Sequence, residues 1–264
     1  MPTQPKVALV TGASSGIGAA TARRLARDPG IELVLVARRE ERLAELSASL
    51  PCPATWLAVD LTDEDAPARV LAHVEGHHDR LDLLVNNAGA AWRGTFGETG
   101  WANVHRHMEL NFDAVVRLTE ALLPLLRRSA PSAIANVAST AGRVSRPNSG
   151  AYSASKFALI GWSDGLHAEE KPNGVHVGMV LPGFVSTEGF PQRELMEKRL
   201  TRRIVSTPEK VADAIMQVGP GGKAERYVPR PYWVIAALRT LAPALIRRGS
   251  ANAPAPTTKG DAAA

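Results

Sequence analysis

The chain contains a single cysteine, Cys52, in 264 residues. No intramolecular disulfide can form, so a reducing, cytoplasmic setting is expected. Cys52 stands between two prolines in PCP, an inert loop position rather than that of a nucleophile. Long apolar runs are missing too. No stretch reaches the roughly 18 uninterrupted apolar residues that a membrane span requires. The first run, KVALV, is too short for a secretory signal and leads directly into a glycine loop. No metal pattern is complete. His73, His77 and His78 lie close together without a cysteine or ordered carboxylate to finish a zinc set, and they read as a solvated helix end. His105 and His107 are two apart and diverge on a helix. No glycine-flanked nucleophile elbow surrounds Ser139, which leaves a serine hydrolase unsupported. There is no tandem repeat.

What is present is an ordinary globular composition, 45% hydrophobic and 22% charged, enough for one sizeable core. The formal charge is +5. Between Lys223 and Arg248 six basic residues face one acid, Glu225, an excess that equals the whole net charge. The rest of the chain is balanced, without the wide basic face of a protein that coats nucleic acid.

Short runs rich in Val, Leu and Ile read as strands covered on both faces: 6–10, 31–37, 55–59, 81–86, 132–137 and 174–180, with a weaker seventh near Tyr227. Helical patterns separate them, over 17–28, 40–49, 65–75, 102–128, 151–170 and 208–218. Alternation of this kind implies an α/β fold: one domain with a doubly wound parallel sheet of about seven strands. Thr207-Pro208-Glu209 reads as an N-cap, a first-turn proline and an acid at a positive helix end. Pro124 is expected to kink or end the long helix around it. Residues 1–228 form the expected catalytic domain. Residues 229–248 read as a basic, apolar C-terminal helix, and 249–264, low in large apolar side chains, as a disordered tail.

The first strand enters TGASSGIG, Thr11 to Gly18. Its glycines let the backbone turn sharply and approach a pyrophosphate, while the following helix start offers free N–H groups. Tyr152 and Lys156 are four apart and share a helix face, where an ammonium would make a phenol more acidic. Thr11-Gly12-xxx-Gly16-x-Gly18, Asn86-Asn87-Ala88-Gly89, Asn111, Ser139 and Tyr152-xxx-Lys156 occur in one order over Lys6 to about Thr187. In this the chain resembles the short-chain dehydrogenase/reductase family, whose fold is of the Rossmann type.

The resemblance implies roles. Tyr152 exchanges a proton with substrate, Ser139 holds the substrate oxygen, Lys156 bonds the nicotinamide ribose, and Asn111 holds a water linking Lys156 to solvent. Gly12, Ser14, Ser15, Gly16, Ile17 and Gly18 would cradle the cofactor. Asp60 and Leu61 would meet adenine; Asn87, Ala88 and Gly89 would line the floor. Pro182, Gly183, Val185 and Thr187 would meet the nicotinamide, while Asn86 braces strands. The second strand ends in Ala37-Arg38-Arg39, where an acid would select NAD(H). An arginine there clamps a 2′-phosphate instead, so NADP(H) is expected, with Arg38 as the clamp. The bland reading of both arginines is solvated charge opening a helix. Asp60-Leu61-Thr62 can also be a helix entry with Thr62 as cap.

A lid is expected over about 184–207, where Phe184, Phe190, Leu195 and Met196, with Trp92, favour a lipophilic carbonyl or alcohol substrate. The 227–248 segment combines aromatics, an apolar body and basic ends. It fits peripheral contact with an anionic membrane, a cap on the cleft, or a second subunit. The resemblance implies a homodimer or homotetramer through helices 102–128 and 151–170. The expected activity is hydride transfer between nicotinamide and a carbonyl or alcohol carbon. The alternative is a scaffold or sensor that binds NADP without turnover.

Overall fold

The computed structural model describes residues 5–188 and 205–251. Its strands are β1 (Lys6–Thr11), β2 (Ile31–Ala37), β3 (Ala54–Ala58), β4 (Leu83–Asn86), β5 (Ser132–Val137), β6 (Val175–Pro182), β7 (Phe184–Val185), β8 (Val205–Ser206) and β9 (Glu225–Val228). Seven of them make one sheet in the order β3-β2-β1-β4-β5-β6-β9, with every pairing parallel. The chain winds outward from β1 first through β2 and β3, then back through β4. The strand order therefore reverses between β1 and β4, and the crevice at their carboxyl ends is where such sheets take ligands. β7 and β8 form a separate parallel pair.

The helices are α1 (Gly16–Leu25), α2 (Glu40–Ser49), α3 (Ala66–His77), α4 (Phe96–Met108), α5 (Ala114–Arg128), α6 (Gly150–Glu170), α7 (Pro208–Val218), α8 (Tyr232–Leu241) and α9 (Pro243–Ala251). Successive strand residues serve opposite faces. Ala8, Val10, Leu33 and Leu35 pack on one side with Leu25 and Ile215. Val7, Leu9, Val34 and Val36 pack on the other with Val70, Leu118 and Leu122. Both layers are closed by helices, which is why the strands read as continuous apolar runs. Among the described residues no helix is long and apolar enough to cross a membrane.

The helix read over 102–128 is interrupted. α4 passes into a π-helical turn, Glu109–Asp113, before α5 begins. Pro124 does not end α5, which continues to Arg128. The buried row of Leu118, Leu122, Leu125 and Leu126 holds the helix on the sheet despite the lost backbone bond. The 229–248 segment is two helices, broken at Ala242 before Pro243. Residues 249–251 belong to the second of them, and the remainder of the expected tail lies outside the described residues, as do Phe190, Leu195 and Met196 of the expected lid.

Two expected caps differ. Thr62 does not cap a helix: Asp60 Oδ1 accepts from Thr62 N at 3.0 Å and from Thr62 Oγ1 at 2.8 Å, and α3 starts only at Ala66. Thr207 stands at the N-cap of α7 with Pro208 and Glu209 in its first turn, as expected, but its side chain makes no cap bond; its proximity is the largest cause of a lowered Glu209 carboxyl pKa. His78 is not solvated. Its side chain is 8% exposed and its Nδ1 lies 3.2 Å from Glu32 Oε2.

Candidate active site

Thr11 ends β1 and ties it to the loop after β4. Its Oγ1 donates to Val85 O at 3.2 Å and accepts from Asn87 N at 2.9 Å and Ala88 N at 3.0 Å. Asn87 Nδ2 donates back to Thr11 O at 2.8 Å. The glycine loop lies against this junction. Gly12 has φ +64°, and a Cβ there would stand 2.8 Å from Asn87 Nδ2. A Cβ on Gly18 would fall 2.2 Å from Gly12 O. Gly16, φ +52°, faces the Thr187 side chain. Ser15 occupies the N-cap of α1 without bonding the helix start, and Ile17 packs partly buried against the core.

The arginines after β2 divide. Arg38 is exposed, with Nη1 3.6 Å from Asp60 Oδ2. Burial works to raise the Asp60 pKa, but the Thr62 bonds and the Arg38 charge outweigh it and hold the carboxyl below its ordinary value. Arg39 reaches back over the glycine loop: Nη2 donates to Ser15 Oγ at 2.8 Å and to Ser14 Oγ at 3.1 Å. A guanidinium therefore stands within the glycine loop region although the loop's own sequence carries none. Sequence reasoning favoured Arg38 and passed over Arg39, whose position depends on the turn between β2 and α2. The Leu61 carbonyl accepts from Arg117 Nη2 at 3.3 Å.

At the ends of β4 and β5 polar groups meet in register. Asn86 pairs with Asn136, and Asn86 Nδ2 donates to Asn136 Oδ1 at 2.9 Å and to Thr119 Oγ1 at 3.1 Å. Asn136 Nδ2 continues to Ser163 Oγ at 2.8 Å on α6. This brace fixes α6 against the sheet, and α6 carries Tyr152 and Lys156. Asn111 sits in the π turn with its amide fully committed. It accepts from Ala90 N at 3.0 Å and donates to Ala90 O at 2.9 Å and Ser155 Oγ at 3.1 Å. Through these bonds the Asn111 side chain fixes the loop after Gly89. A Cβ on Gly89 would stand 2.8 Å from Asn111 Oδ1 and 3.6 Å from Lys156 Nζ.

Lys156 is 4% exposed, and its Nζ donates to Val137 O at 2.9 Å. Burial pushes its pKa down to about 8. Ser139, two residues after Val137, accepts from Ala141 N at 3.1 Å and is hydrogen bonded to the Tyr152 phenol. Burial raises the Tyr152 pKa; the Ser139 bond and then the positive charge of Arg146 oppose it, without reversing the shift. Lys156 gives one of its three N–H donors to the strand end, and the positive charge of Arg146 is among the causes that oppose burial at Tyr152. Cys52 is half-buried and its thiol is pushed up by burial, as suits an inert position.

Three further side chains frame the cleft. His107 is fully buried: Nδ1 lies 2.6 Å from Asn103 O, and Trp92 N donates to Nε2 at 3.0 Å. Its ring lies between those of Trp92 and Tyr152, with centroids at 4.9 and 6.1 Å. Burial, the largest cause, lowers its pKa. Pro182 ends β6, and Gly183 N donates to Val228 O at 2.8 Å. A Cβ on Gly183 would stand 2.5 Å from the Tyr232 ring, so the start of α8 covers this loop directly. Val185 is buried in the β7–β8 pair.

Gly18→Ala must displace backbone at Gly12, and a thermal melt should show a loss of about 1–3 kcal/mol. Gly165→Ala in α6 meets open space and should leave the melt unchanged or raise stability by about 0.5–1 kcal/mol. Equal effects would contradict the close packing at Gly18.

The cradle fits a dinucleotide: three backbone approaches that a side chain would block, a helix start, and an arginine over the loop. Comparison with known proteins agrees. The sequence pattern of the short chain dehydrogenase family matches residues 6–198. Dehydrogenase/reductase SDR family member 7B of Danio rerio is 34% identical over 70% of the chain, which spans 62% of that protein's length. The 3-ketodihydrosphingosine reductase of Bacteroides thetaiotaomicron is 32% identical over 74% of the chain and 69% of its own length. The crystal structure of a short-chain dehydrogenase from Streptomyces avermitilis superposes with a TM-score of 0.77 at 32% identity, covering 94% of this chain and 99% of that one. The chain belongs to the short chain dehydrogenase family, oxidoreductases that act on CH–OH and C=O groups with a nicotinamide cofactor.

Proposed function

We propose that this chain is an NADP(H)-dependent oxidoreductase for a lipophilic ketone, aldehyde or alcohol, with Tyr152 as the proton carrier. One observation carries the reading: Tyr152, Ser139, Lys156 and Asn111 converge at the carboxyl end of β5 beside Gly89, where a Cβ would collide with Asn111. When bound, the nicotinamide supplies or accepts the hydride. Ser139 Oγ steadies the substrate oxygen, and Tyr152 gives that oxygen a proton in reduction or takes it in oxidation. Lys156 faces the Gly89 floor, where its remaining N–H donors would bond the cofactor's ribose. Asn111 keeps that floor in place through Ala90. Pro182, Gly183, Val185 and Thr187 meet the nicotinamide end.

Arg39 on Ser14 and Ser15, with Arg38 beside it, supports a 2′-phosphate clamp in which both arginines share. The lipophilic substrate is supported by Trp92 and Phe184, and by similarity to a relative named 3-ketodihydrosphingosine reductase. A cytoplasmic setting with α5 and α6 pairing into a homodimer or homotetramer belongs to the same reading. Sedimentation of the full chain at the monomer mass alone would remove the pairing.

Screening NADPH and NADH oxidation against ketones and aldehydes tests the function. NADPH should be preferred, and Arg38→Asp with Arg39→Asp should reverse the preference by about 10- to 100-fold. An unaltered preference would show that neither arginine meets the 2′-phosphate.

The exposed Trp233, Val234, Ile235, Leu238, Leu241 and Leu245 of α8 and α9 support peripheral contact with an anionic membrane. The full chain should float with phosphatidylglycerol vesicles and Trp233→Glu/Leu241→Glu should not. Equal partitioning of the two would discard the contact.

A further inference from the structure

The loop that leads into α6 carries Arg143 and Arg146, and the two meet different fates. Arg143 Nη2 bonds Glu225 Oε2 at 2.9 Å. Among the described residues no carboxylate pairs with Arg146. Its guanidinium is partly buried and lies over the Phe184 ring, with Cζ 4.6 Å from the centroid. Phe184 follows Gly183, the residue covered by the Tyr232 ring. Arg146 is thus held against the loop after β6, from where its charge opposes burial at both Tyr152 and Tyr232.

A second arginine stands beside it. Asn148, at φ +60°, accepts from Gly94 N at 3.2 Å and so clips the Arg146 loop to the loop that carries Arg93. Burial and then the like charge of Arg93 lower the Arg146 pKa; Tyr232 and Tyr152 pull the other way. A cation placed where water is reduced and where another cation repels it is stabilised most by an anion. Charge-assisted bonds from a guanidinium to a carboxylate or phosphate are among the stronger polar contacts in proteins, and they strengthen as the site dries.

We propose that the substrate is an anionic carbonyl compound, an apolar chain bearing a carboxylate or phosphate that Arg146 binds beside Tyr152. The inference rests on the oxidoreductase reading above and narrows it. Trp92 and Phe184 take the apolar body, and Arg146 takes the anion. The same charge disfavours a cationic substrate, so an amino ketone such as 3-ketodihydrosphingosine is a poor one for this chain.

Matched pairs test this: 3-, 4- and 5-oxodecanoate against their methyl esters, with 2-oxodecyl phosphate as the arm that separates phosphate from carboxylate. At least one anion should exceed its neutral partner in kcat/KM by about 10- to 100-fold. Arg146→Met keeps an apolar contact with Phe184 and removes the charge; it should bring that ratio to about 1. Arg146→Lys should retain part of it. Because the ratio compares two substrates of one protein, any effect of Arg146 on Tyr152 itself cancels. Equal kcat/KM for acid and ester in the unaltered chain, or a ratio that survives Arg146→Met, overturns the proposal. Titration calorimetry with the same compounds separates this from the parent reading. Tighter binding of the anion that Arg146→Met abolishes, without turnover of any compound, would retain the anion site and remove the oxidoreductase function. Turnover without selectivity for the anion would do the reverse.

Discussion

The carboxyl edge of the sheet depends on backbone meeting backbone at Gly12 and Gly18. No side chain can occupy either position, because a Cβ would enter Asn87 at the first and the Gly12 carbonyl at the second. That approach brings the start of α1 against the loop after β4, and the Thr11–Asn87 bonds lock the two. From there the polar chain Asn86–Asn136–Ser163 carries the register across β4 and β5 to α6. The position of Tyr152 is therefore set by contacts that begin at the glycine loop. The glycine loop and the helix that carries Tyr152 and Lys156 are built on one frame.

The site also shows how a protein tunes an unpromising acid. Burial alone makes a phenol less acidic. Ser139 and Arg146 oppose that, while Lys156 is engaged with Val137. Burial brings the lysine to about 8, closer to neutrality than its ordinary value. A positive charge that favours the phenolate comes from a loop, six residues before the tyrosine.

Much of this was legible in the sequence for simple reasons. Strand 31–37 and helices 40–49 and 208–218 matched to the residue because their apolar periods end abruptly at charged or turn residues. The glycine spacing announced the cradle because only glycine tolerates φ +64° and +52° at such close approach. The π turn at 109–113 was invisible; within it Asn111 bonds Ala90, a contact across 21 residues that no local pattern announces. His107 reads as one more histidine until Trp92 N is seen on its ring nitrogen. Arg39 and Arg146 gave no pattern because what they touch is set by loop paths, not by spacing. Pro124 misled in the other direction: local propensity favoured a break, and the buried leucine row prevailed.

The central claim is that this cleft passes a hydride directly between cofactor and substrate carbon while the protein handles only the proton. Reduction of the best carbonyl substrate with NADPH carrying deuterium at C4 of the nicotinamide measures it most directly. The account predicts one deuterium on the carbinol carbon of the product, with label from only one of the two C4 faces. Deuterium lost to water, or a product alcohol free of label, would contradict it.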